Sequence, residues 1–301
     1  MRLGGGGPRD DDFIDRTGQS GGGMPILGGG GGILGLLVPL VLSRFGIVGL
    51  LILGLGYCAL GGLGGGGILG GGGSGTATQQ SAPGESRLTQ EEATQLDLAL
   101  KSTDQAWGAM FQQAGQRYAE PKLVAYKGGT STACGQGQAQ MGPFYCPGDN
   151  SIYIDPAFFS ELSRRFGAPG DFARYYVIAH EVGHHIQNLE GTLDKASKAQ
   201  ARLGKSEGNA VQVGVELQAD CYAGVWAALA KAPDGSRALE PGDIEEGMVA
   251  AAAIGDDALM SQAGQAVRPE SFTHGSSAQR QEALRRGLQS GDPRVCNYNR
   301  V

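Results

Sequence analysis

The chain has 301 residues, a formal net charge of −6 and 54 glycines. The acidic balance, with no Lys/Arg cluster in the later part of the chain, gives no electrostatic basis for nucleic-acid binding, and we expect none. More than half of the glycines lie in the first 75 residues, which cannot supply a soluble core, so we expect one folded domain over residues 89–301.

Residues 1–32 form a Gly-rich tail by composition, and an apolar segment follows over residues 33–63. A helix of about 20 apolar residues crosses a bilayer, so this segment is long enough to be an anchor. Pro39 and Arg44 are unfavourable at mid-bilayer, and the better span is Phe45 to Leu63. A cleaved signal peptide is the alternative, but the apolar run starts more than 30 residues into the chain, which favours an uncleaved anchor.

The charges that flank this segment predict its orientation in the cell membrane. Arg2, Arg9, Arg16 and Arg44 precede the span, and the next positive charge after it is Arg87. The positive-inside rule then predicts a single-pass protein with a cytoplasmic N-terminus and a periplasmic or extracellular domain.

The cysteines agree with an oxidising compartment. Cys58 lies in the predicted span, and the other four permit three pairings. The short separation of Cys134 from Cys146 makes that bridge the natural choice, with Cys221 and Cys296 as the remaining pair. Four reduced, buried thiols are the alternative.

After residue 63 the sequence predicts a linker, one long helix, a group of strands and then a run of helices. Residues 64–88 are rich in Gly and Ser and predict a flexible linker. Thr89 and Glu92 form a capping-box pattern at the start of a long amphipathic helix. Extended segments follow at 122–126, 141–146 and 151–155, and the last has the alternation of a half-buried strand. Further helices are predicted over 156–167, 171–190, 208–232, 241–259 and 276–292. A few strands followed by a run of helices indicate an α+β fold.

The stretch HEVGH, His180 to His184, is the strongest chemical signal in the sequence. The two histidines are separated by four residues, so on a helix they share one face and can hold one tetrahedral metal. Glu181 can reach a water beside that metal without being a ligand, which is the HExxH arrangement of zinc peptidases with Glu as general base. Two hydrogen-bonded core histidines are the alternative. Apolar neighbours such as Val177 and Val182 make that alternative costly, because two buried imidazoles would lack a shared partner.

A catalytic zinc needs a third protein ligand and one open position. Glu216 is the best candidate, and Asp220 lies one turn later on the same predicted helix face, where it can accept the outer N–H of a zinc-binding histidine. Asp220 as the ligand, or the pair on a solvated face, are alternatives. Apolar neighbours Val215 and Leu217 argue against full solvation.

The remaining histidines have weaker signals. His185 points about 100° away from its neighbour His184, so we expect it to make a hydrogen bond in the core and not to bind the metal. His274, just before the last helix, could donate to the oxyanion of a tetrahedral intermediate or could be a loop or cap residue. Arg280 and Tyr222 are weaker candidates for the same oxyanion role.

Four strings in order carry a family resemblance: GPFYCPGDNSIYID, AHEVGHHIQ, ELQADCYAGVW and SFTHGSSAQR. From about residue 90 to the end, the chain resembles the bacterial neutral zinc metallopeptidases of the YpfJ type. The HExxH and ExxxD pair is also similar to that of gluzincins, and THxSxxxR to that of membrane-bound CAAX-processing peptidases. The resemblance implies Zn²⁺, a peptide or protein substrate, and a zincin-like fold whose mostly antiparallel sheet offers an edge strand to the peptide, with SIYID as the candidate strand.

The sequence therefore predicts a membrane-anchored zinc metalloendopeptidase acting outside the cytoplasm. A non-catalytic, zinc-stabilised envelope protein that serves as a structural or partner-binding module is one alternative, and a zinc hydrolase of a non-peptide bond is another. The residues assigned to the site are the zinc ligands His180, His184 and Glu216, their partner Asp220, and the catalytic residues Glu181 and His274.

Overall fold

The computed structural model describes residues 1–4, 11–19 and 86–298. These residues form six β-strands and eight α-helices, which confirms the α+β prediction. The strands are β1 (Phe13–Asp15), β2 (Lys122–Ala125), β3 (Gly129–Thr132), β4 (Gly135–Gln138), β5 (Phe144–Cys146) and β6 (Ser151–Ile154). The helices are α1 (Gln90–Gln113), α2 (Ala157–Arg164), α3 (Asp171–Leu189), α4 (Thr192–Gln200), α5 (Lys205–Leu229), α6 (Asp243–Ala253), α7 (Asp256–Gln262) and α8 (Ser277–Ser290).

The main sheet has the strand order β1-β2-β6-β5, and β3 and β4 form a separate hairpin. β1 and β2 pair in parallel, as do β2 and β6, whereas β5 and β6 are antiparallel. The expectation of a mostly antiparallel sheet is therefore wrong. The prediction that SIYID is a half-buried edge strand is also wrong, because β6 lies inside the sheet and is fully buried. Ile152 packs in the main core while Tyr153 packs in a smaller cluster, so both faces of the strand are covered.

The N-terminal residues belong to the domain. Phe13 is buried and pairs with Leu123 of β2. The amino group of Met1 lies 2.9 Å from Asp171 and 3.0 Å from Asp243, which are the first residues of α3 and α6. The prediction of a separate tail over residues 1–32 is thus wrong for these parts. β1 and β2 share one sheet, so residues 13–15 are part of the same folded domain as residues 122–125.

The segment between β1 and α1 includes the predicted membrane span. Residues 33–63 and the linker up to residue 85 lie outside the described residues. Among the helices of the described ranges, none is both long and apolar enough to cross a membrane. At the far end of the segment, the predicted capping box is confirmed, since Thr89 Oγ1 accepts from the Glu92 N–H and the Glu92 carboxylate accepts from the Thr89 N–H.

Helices α3 and α5 form the centre of the domain and carry the predicted metal ligands. α3 is buried around most of its circumference and contacts α1, α4, α5, α6 and β5. Gly183 faces α5 so closely that a Cβ at this position would lie 2.9 Å from the Ala219 Cα. A glycine is therefore required where the two helices cross, directly before His184, and its absence of a side chain brings the ligand-bearing faces together.

Both predicted disulfides are confirmed. Cys134–Cys146 joins the β3–β4 turn to β5, and Cys221–Cys296 joins α5 to the C-terminal segment. Two helix predictions need correction. Residues 241–259 form two helices, with a break at Gly255, whose backbone packs against Ser277. Helix α4 was not predicted, because its mostly polar sequence buries only one residue, Ala196.

Candidate metal centre

Three predicted ligands meet between α3 and α5. The His180 Nε2 atom lies 3.2 Å from Glu216 Oε2, and the His184 Nε2 atom lies 3.6 Å from the same oxygen. Bonds of about 2 Å to a tetrahedral zinc place neighbouring ligand atoms about 3.3 Å apart. The structure thus brings the predicted triad together at the spacing of one shared metal, and Asp220 is excluded as the third ligand because it contacts the other side of His180.

The hydrogen bonds on the far side of each ring fix which nitrogen faces the centre. His180 Nδ1 donates to Asp220 Oδ1 at 2.8 Å, and His184 Nδ1 donates to Gln187 Oε1 at 2.8 Å. In the neutral imidazoles both Nε2 atoms then carry lone pairs. A metal ion between these atoms would be bound by both lone pairs and by the facing carboxylate oxygen of Glu216, so the residues fit a zinc ion.

The pKa shifts of the buried candidate ligands also favour a positive charge at the centre. Burial opposes the charged form of His180, but Asp220 and Glu216 outweigh it and raise its pKa to about 10. Burial likewise opposes ionisation of Glu216, yet the imidazoles of His184 and His180 hold its pKa well below the usual range. A positive charge is therefore favoured between these side chains, and a bound metal ion would supply it in place of a proton.

Glu216 is itself oriented by its own helix. Its other oxygen, Oε1, accepts from Gln212 Nε2 at 3.0 Å, one turn earlier on α5. Gln212 is held in turn by Gln200 of α4 at 3.0 Å. This leaves Oε2 as the oxygen that points toward the two histidines, which suits binding through one carboxylate oxygen.

Asp220 is the centre of a buried charge network. It is fully buried and accepts from His180, from Tyr176 Oη at 2.6 Å and from two nitrogens of Arg280 at 2.9 Å each. Burial raises the pKa of an isolated carboxyl, but Arg280 and His180 reverse this and lower the pKa of Asp220 to about 2. The predicted role of Asp220 as the partner of a zinc-binding histidine is consistent with this geometry, and Arg280 supports Asp220 instead of facing a substrate oxyanion.

Glu181 stands beside the triad without joining it. The three atoms that gather at the centre belong to His180, His184 and Glu216, and within the described residues no further His, Cys, Asp or Glu completes a fourth position. Glu181 is 7% exposed, and burial raises its pKa even though the two histidines act in the opposite direction. A carboxylate with a raised pKa is suited to accept a proton near neutral pH.

His274 lies in the loop before α8, near enough to Glu216 for their charges to interact. Its side chain is 48% exposed, and its Nδ1 atom is 3.3 Å from Asp256 Oδ1. The other oxygen of Asp256 accepts from three consecutive backbone N–H groups of this loop, of Thr273, His274 and Gly275. The loop is thus pinned to the start of α7, and the His274 ring is held at the border of the site.

His185 does not approach the triad, in agreement with the prediction. It is fully buried, its Nε2 donates to the Ala119 carbonyl at 2.6 Å, and its Nδ1 lies 3.0 Å from Tyr145 Oη. Burial lowers its pKa and thereby favours the neutral ring. It joins α3 to β5. Tyr222 is also remote from this role, because its hydroxyl donates to Glu190 at the end of α3.

A second group of carboxylates, Asp171, Asp243 and Glu246, is also closely spaced. The ammonium group of Met1 contacts two of them, and Glu246 accepts from the Phe172 N–H at 3.1 Å. These contacts explain the clustering without a metal.

Sequence reasoning missed the roles of Tyr176, Gln187, Gln212 and Asp256. Gln187 follows His184 by three residues, so an amide at that spacing on a helix is a usable signal for a contact to the ring. Gln212 precedes Glu216 by four residues and carries the same kind of signal. Tyr176 and Asp256 act across the fold, and no local spacing identifies them.

Comparison with known proteins places the chain among zinc-dependent relatives by family description. The family described as "Putative neutral zinc metallopeptidase" matches residues 4–298. The chain is 42% identical over 298 residues to the uncharacterized protein YpfJ of Escherichia coli (strain K12), covering 97% of this chain and 96% of the relative. It is also 42% identical over 205 residues to the uncharacterized protein Rv2575 of Mycobacterium tuberculosis (strain ATCC 25618 / H37Rv), covering 65% of this chain and 67% of the relative. No solved structure matches the chain.

The match spans the N-terminal residues that pair with the sheet as well as both ligand-bearing helices. Zinc is the metal that this family implies, and it is the metal that the two imidazoles and one carboxylate suit. The chain therefore belongs to the neutral zinc metallopeptidase family.

Proposed function

We propose that this protein is a zinc-dependent endopeptidase whose active site is the centre between α3 and α5. The observation that carries the proposal is a set of three ligands with Glu181 beside it and no fourth ligand from the described residues. Structural zinc sites are closed by four protein ligands, whereas catalytic sites keep one position open. When bound there, zinc supplies a Lewis acid that activates water and polarises a carbonyl group.

The protein's own residues move the protons. Glu181 accepts a proton from the attacking water, which its raised pKa favours, and returns that proton to the leaving amine. Burial at 7% exposure keeps bulk water from competing for this carboxylate. His274, held by Asp256 at the border of the site, donates to the oxygen of the substrate carbonyl as negative charge develops on it.

The peptide substrate needs an open strand edge near α3. Within the described residues, β5 pairs only with β6, so its other edge has no strand partner, and Tyr145 of β5 contacts His185 on α3. We assign the peptide to this edge in place of SIYID, with backbone pairing that tolerates many side chains. A zincin-like fold is part of the proposal, and it is supported by the HExxH helix α3 packing against this sheet and the third ligand coming from the next long helix, α5.

The domain is proposed to act outside the cytoplasm in a membrane-attached protein. Two disulfides within the domain support an oxidising compartment, and the apolar residues 33–63 support membrane attachment. Because β1 is part of the sheet, residues 13–15 are assigned to the same side as the domain.

The deciding experiment compares the full-length wild type with Glu181→Gln for zinc content and for cleavage of a quenched fluorescent peptide library. We expect one zinc per chain in both proteins, and a cleavage rate at least about 100-fold lower in the variant, since a positioned general base contributes about 10² to 10⁴. Glu190→Gln is the matched control. Glu190 is also a carboxylate whose pKa burial raises, at the end of the same helix but bonded to Tyr222, and its variant should cleave at the wild-type rate.

The alternatives give different results. A non-catalytic, zinc-stabilised envelope protein would bind zinc but cleave no peptide, and its zinc content would be the same in wild type and Glu181→Gln. A zinc hydrolase of another bond would leave peptides intact but lose its own activity in the same variant. Peptide cleavage that persists in Glu181→Gln would refute the assigned mechanism.

A further inference from the structure

Gln187 is a fully buried side-chain amide that makes three hydrogen bonds. Its Oε1 atom lies 2.8 Å from His184 Nδ1, and its Nε2 atom donates to the Val215 carbonyl at 2.8 Å and to Gln218 Oε1 at 2.9 Å. Val215 and Gln218 are on α5, whereas Gln187 and His184 are on α3. The amide therefore bridges the two helices that carry the metal ligands.

The direction of each hydrogen bond in this series of side chains is determined by carbonyl groups, which can only accept. Gln218 Nε2 donates to the Cys296 carbonyl at 3.0 Å, so Gln218 must turn its oxygen toward Gln187. Gln187 then has its two amide hydrogens used by Val215 and Gln218, and only its oxygen can face His184. The Cys221–Cys296 disulfide anchors the carbonyl at the start of the series to α5.

This series decides the tautomer of His184. An acceptor at Nδ1 requires the ring hydrogen to be on that nitrogen, so the lone pair is on Nε2, which faces Glu216 at 3.6 Å. His180 has a carboxylate, Asp220, in the corresponding place, and Arg280 compensates the charge of that carboxylate. His184 has a neutral partner that needs no compensating cation. The two ligands are thus oriented by separate devices.

We propose that Gln187 is the positioning residue for the metal ligand His184, and that Gln218 and the Cys296 carbonyl hold Gln187 in the required orientation. The inference rests on the zinc centre of the proposed function and adds residues to it that touch neither metal nor substrate. Without Gln187 the ring of His184 can rotate or carry its hydrogen on Nε2, and either change removes a ligand atom from the centre. Loss of such a hydrogen-bond partner typically weakens metal binding about 10–100-fold.

The experiment uses the full-length protein as Gln187→Met, Gln218→Met and wild type, with Gln95→Met as the matched control. Gln95 is a partly buried glutamine on α1 that accepts from Arg174 at 2.7 Å, away from the centre. Zinc affinity is measured by competition with a chromophoric chelator, the visible absorption spectrum is recorded for the Co²⁺-loaded protein, and the free energy of unfolding is measured for the metal-free protein.

We expect Gln187→Met to bind zinc about 10–100-fold more weakly and to alter the Co²⁺ spectrum. Gln218→Met should change both quantities in the same direction but less, because Val215 still holds the Gln187 amide. Gln95→Met should match the wild type in both. Gln218→Met also keeps the test decisive if Gln187→Met does not fold, because it leaves the contact to His184 in place and only loosens its support.

The proposal is overturned if both variants keep the wild-type zinc affinity and an unchanged Co²⁺ spectrum, even if their free energy of unfolding is lower. Gln187 would then be only a packing contact between the helices. The proposed function fails independently. A wild type that binds zinc and cleaves no peptide ends the peptidase assignment, while the order of zinc affinities among the variants still decides the role of Gln187.

Discussion

The contact between Arg280 and Asp220 offers a quantitative test of the charge network behind the metal centre. Arg280 is 2% exposed and Asp220 is fully buried, with two nitrogen-to-oxygen distances of 2.9 Å. Arg280 also donates to the Ile254 carbonyl at 3.1 Å. Replacing Arg280 with Met keeps an unbranched apolar side chain while removing the charge and every donor.

The expected loss follows from what remains around the carboxylate. Removing one partner of a buried ion pair costs about 3–5 kcal/mol, because the other charge is left without compensation. Asp220 keeps the hydrogen bonds from His180 and Tyr176, so we expect Arg280→Met to cost about 3 kcal/mol, at the lower end of this range. Adding Asp220→Asn removes the uncompensated charge. The loss of unfolding free energy in the double variant should therefore be about 2 kcal/mol smaller than the sum of the losses in the two single variants.

Urea unfolding of the metal-free proteins at pH 7 measures these values. A chelator is required throughout, because zinc that binds only the folded state adds its own free energy and would obscure the cycle. Arg285→Met is the control, since Arg285 lies on the same helix but pairs with Glu282 at the surface. An exposed pair of this kind contributes about 0–1 kcal/mol. A loss below about 1 kcal/mol for Arg280→Met, or additive losses in the double variant, would refute the assignment of a desolvated, coupled pair.

Two further predictions concern the loop and the membrane. Burial opposes ionisation of Asp256, but contacts from His274 and from backbone N–H groups outweigh it and lower the pKa of this carboxyl. Its contribution to folding is therefore present above about pH 4 and is lost as the pH falls through the lowered pKa. The difference in unfolding free energy between wild type and Asp256→Asn should shrink on acidification, and a constant difference from pH 6 to pH 2.5 would contradict this prediction. In a Cys58→Ser background, cysteines at the exposed positions Gln19 and Lys198 should react from the same side with a membrane-impermeant maleimide, and labelling from opposite sides would contradict the pairing of β1 with β2 in the cell.

The pairing of the candidate ligands on helix faces could be predicted from the sequence because the information for it is local. His180 and His184 are one helical turn apart, and Glu216 and Asp220 have the same spacing on the next long helix, so the period of the helix alone places each pair on one face. The short separation of Cys134 from Cys146 in the sequence indicated the first disulfide and left Cys221 and Cys296 as the second pair. Both inferences needed no knowledge of how the elements pack.

The support of these ligands could not be predicted in this way. Tyr176 is 44 positions from Asp220 in the sequence, and the Asp256 carboxylate is 18 positions from the His274 ring that it holds. β1 was missed for a related reason, since three residues in a Gly-rich region give too short an alternation to indicate a strand. The position of SIYID was misjudged because Tyr153 and Asp155, which alternate with Ile152 and Ile154, are polar enough to suggest a wet face, whereas both are buried in the structure.

The position of Arg280 depends on glycines that carry no chemical signal of their own. A Cβ at Gly287 would lie 1.9 Å from the carbonyl oxygen of Cys221, so α8 can approach α5 this closely only with glycine at the contact. Gly287 is two turns after Arg280 on α8, and Cys221 directly follows Asp220 on α5, so the glycine contact sets the distance at which the guanidinium reaches the carboxylate. Asp220 in turn fixes the ring of His180. Gly287 is not itself a ligand, so a substitution there should act on the centre through the spacing of these two helices.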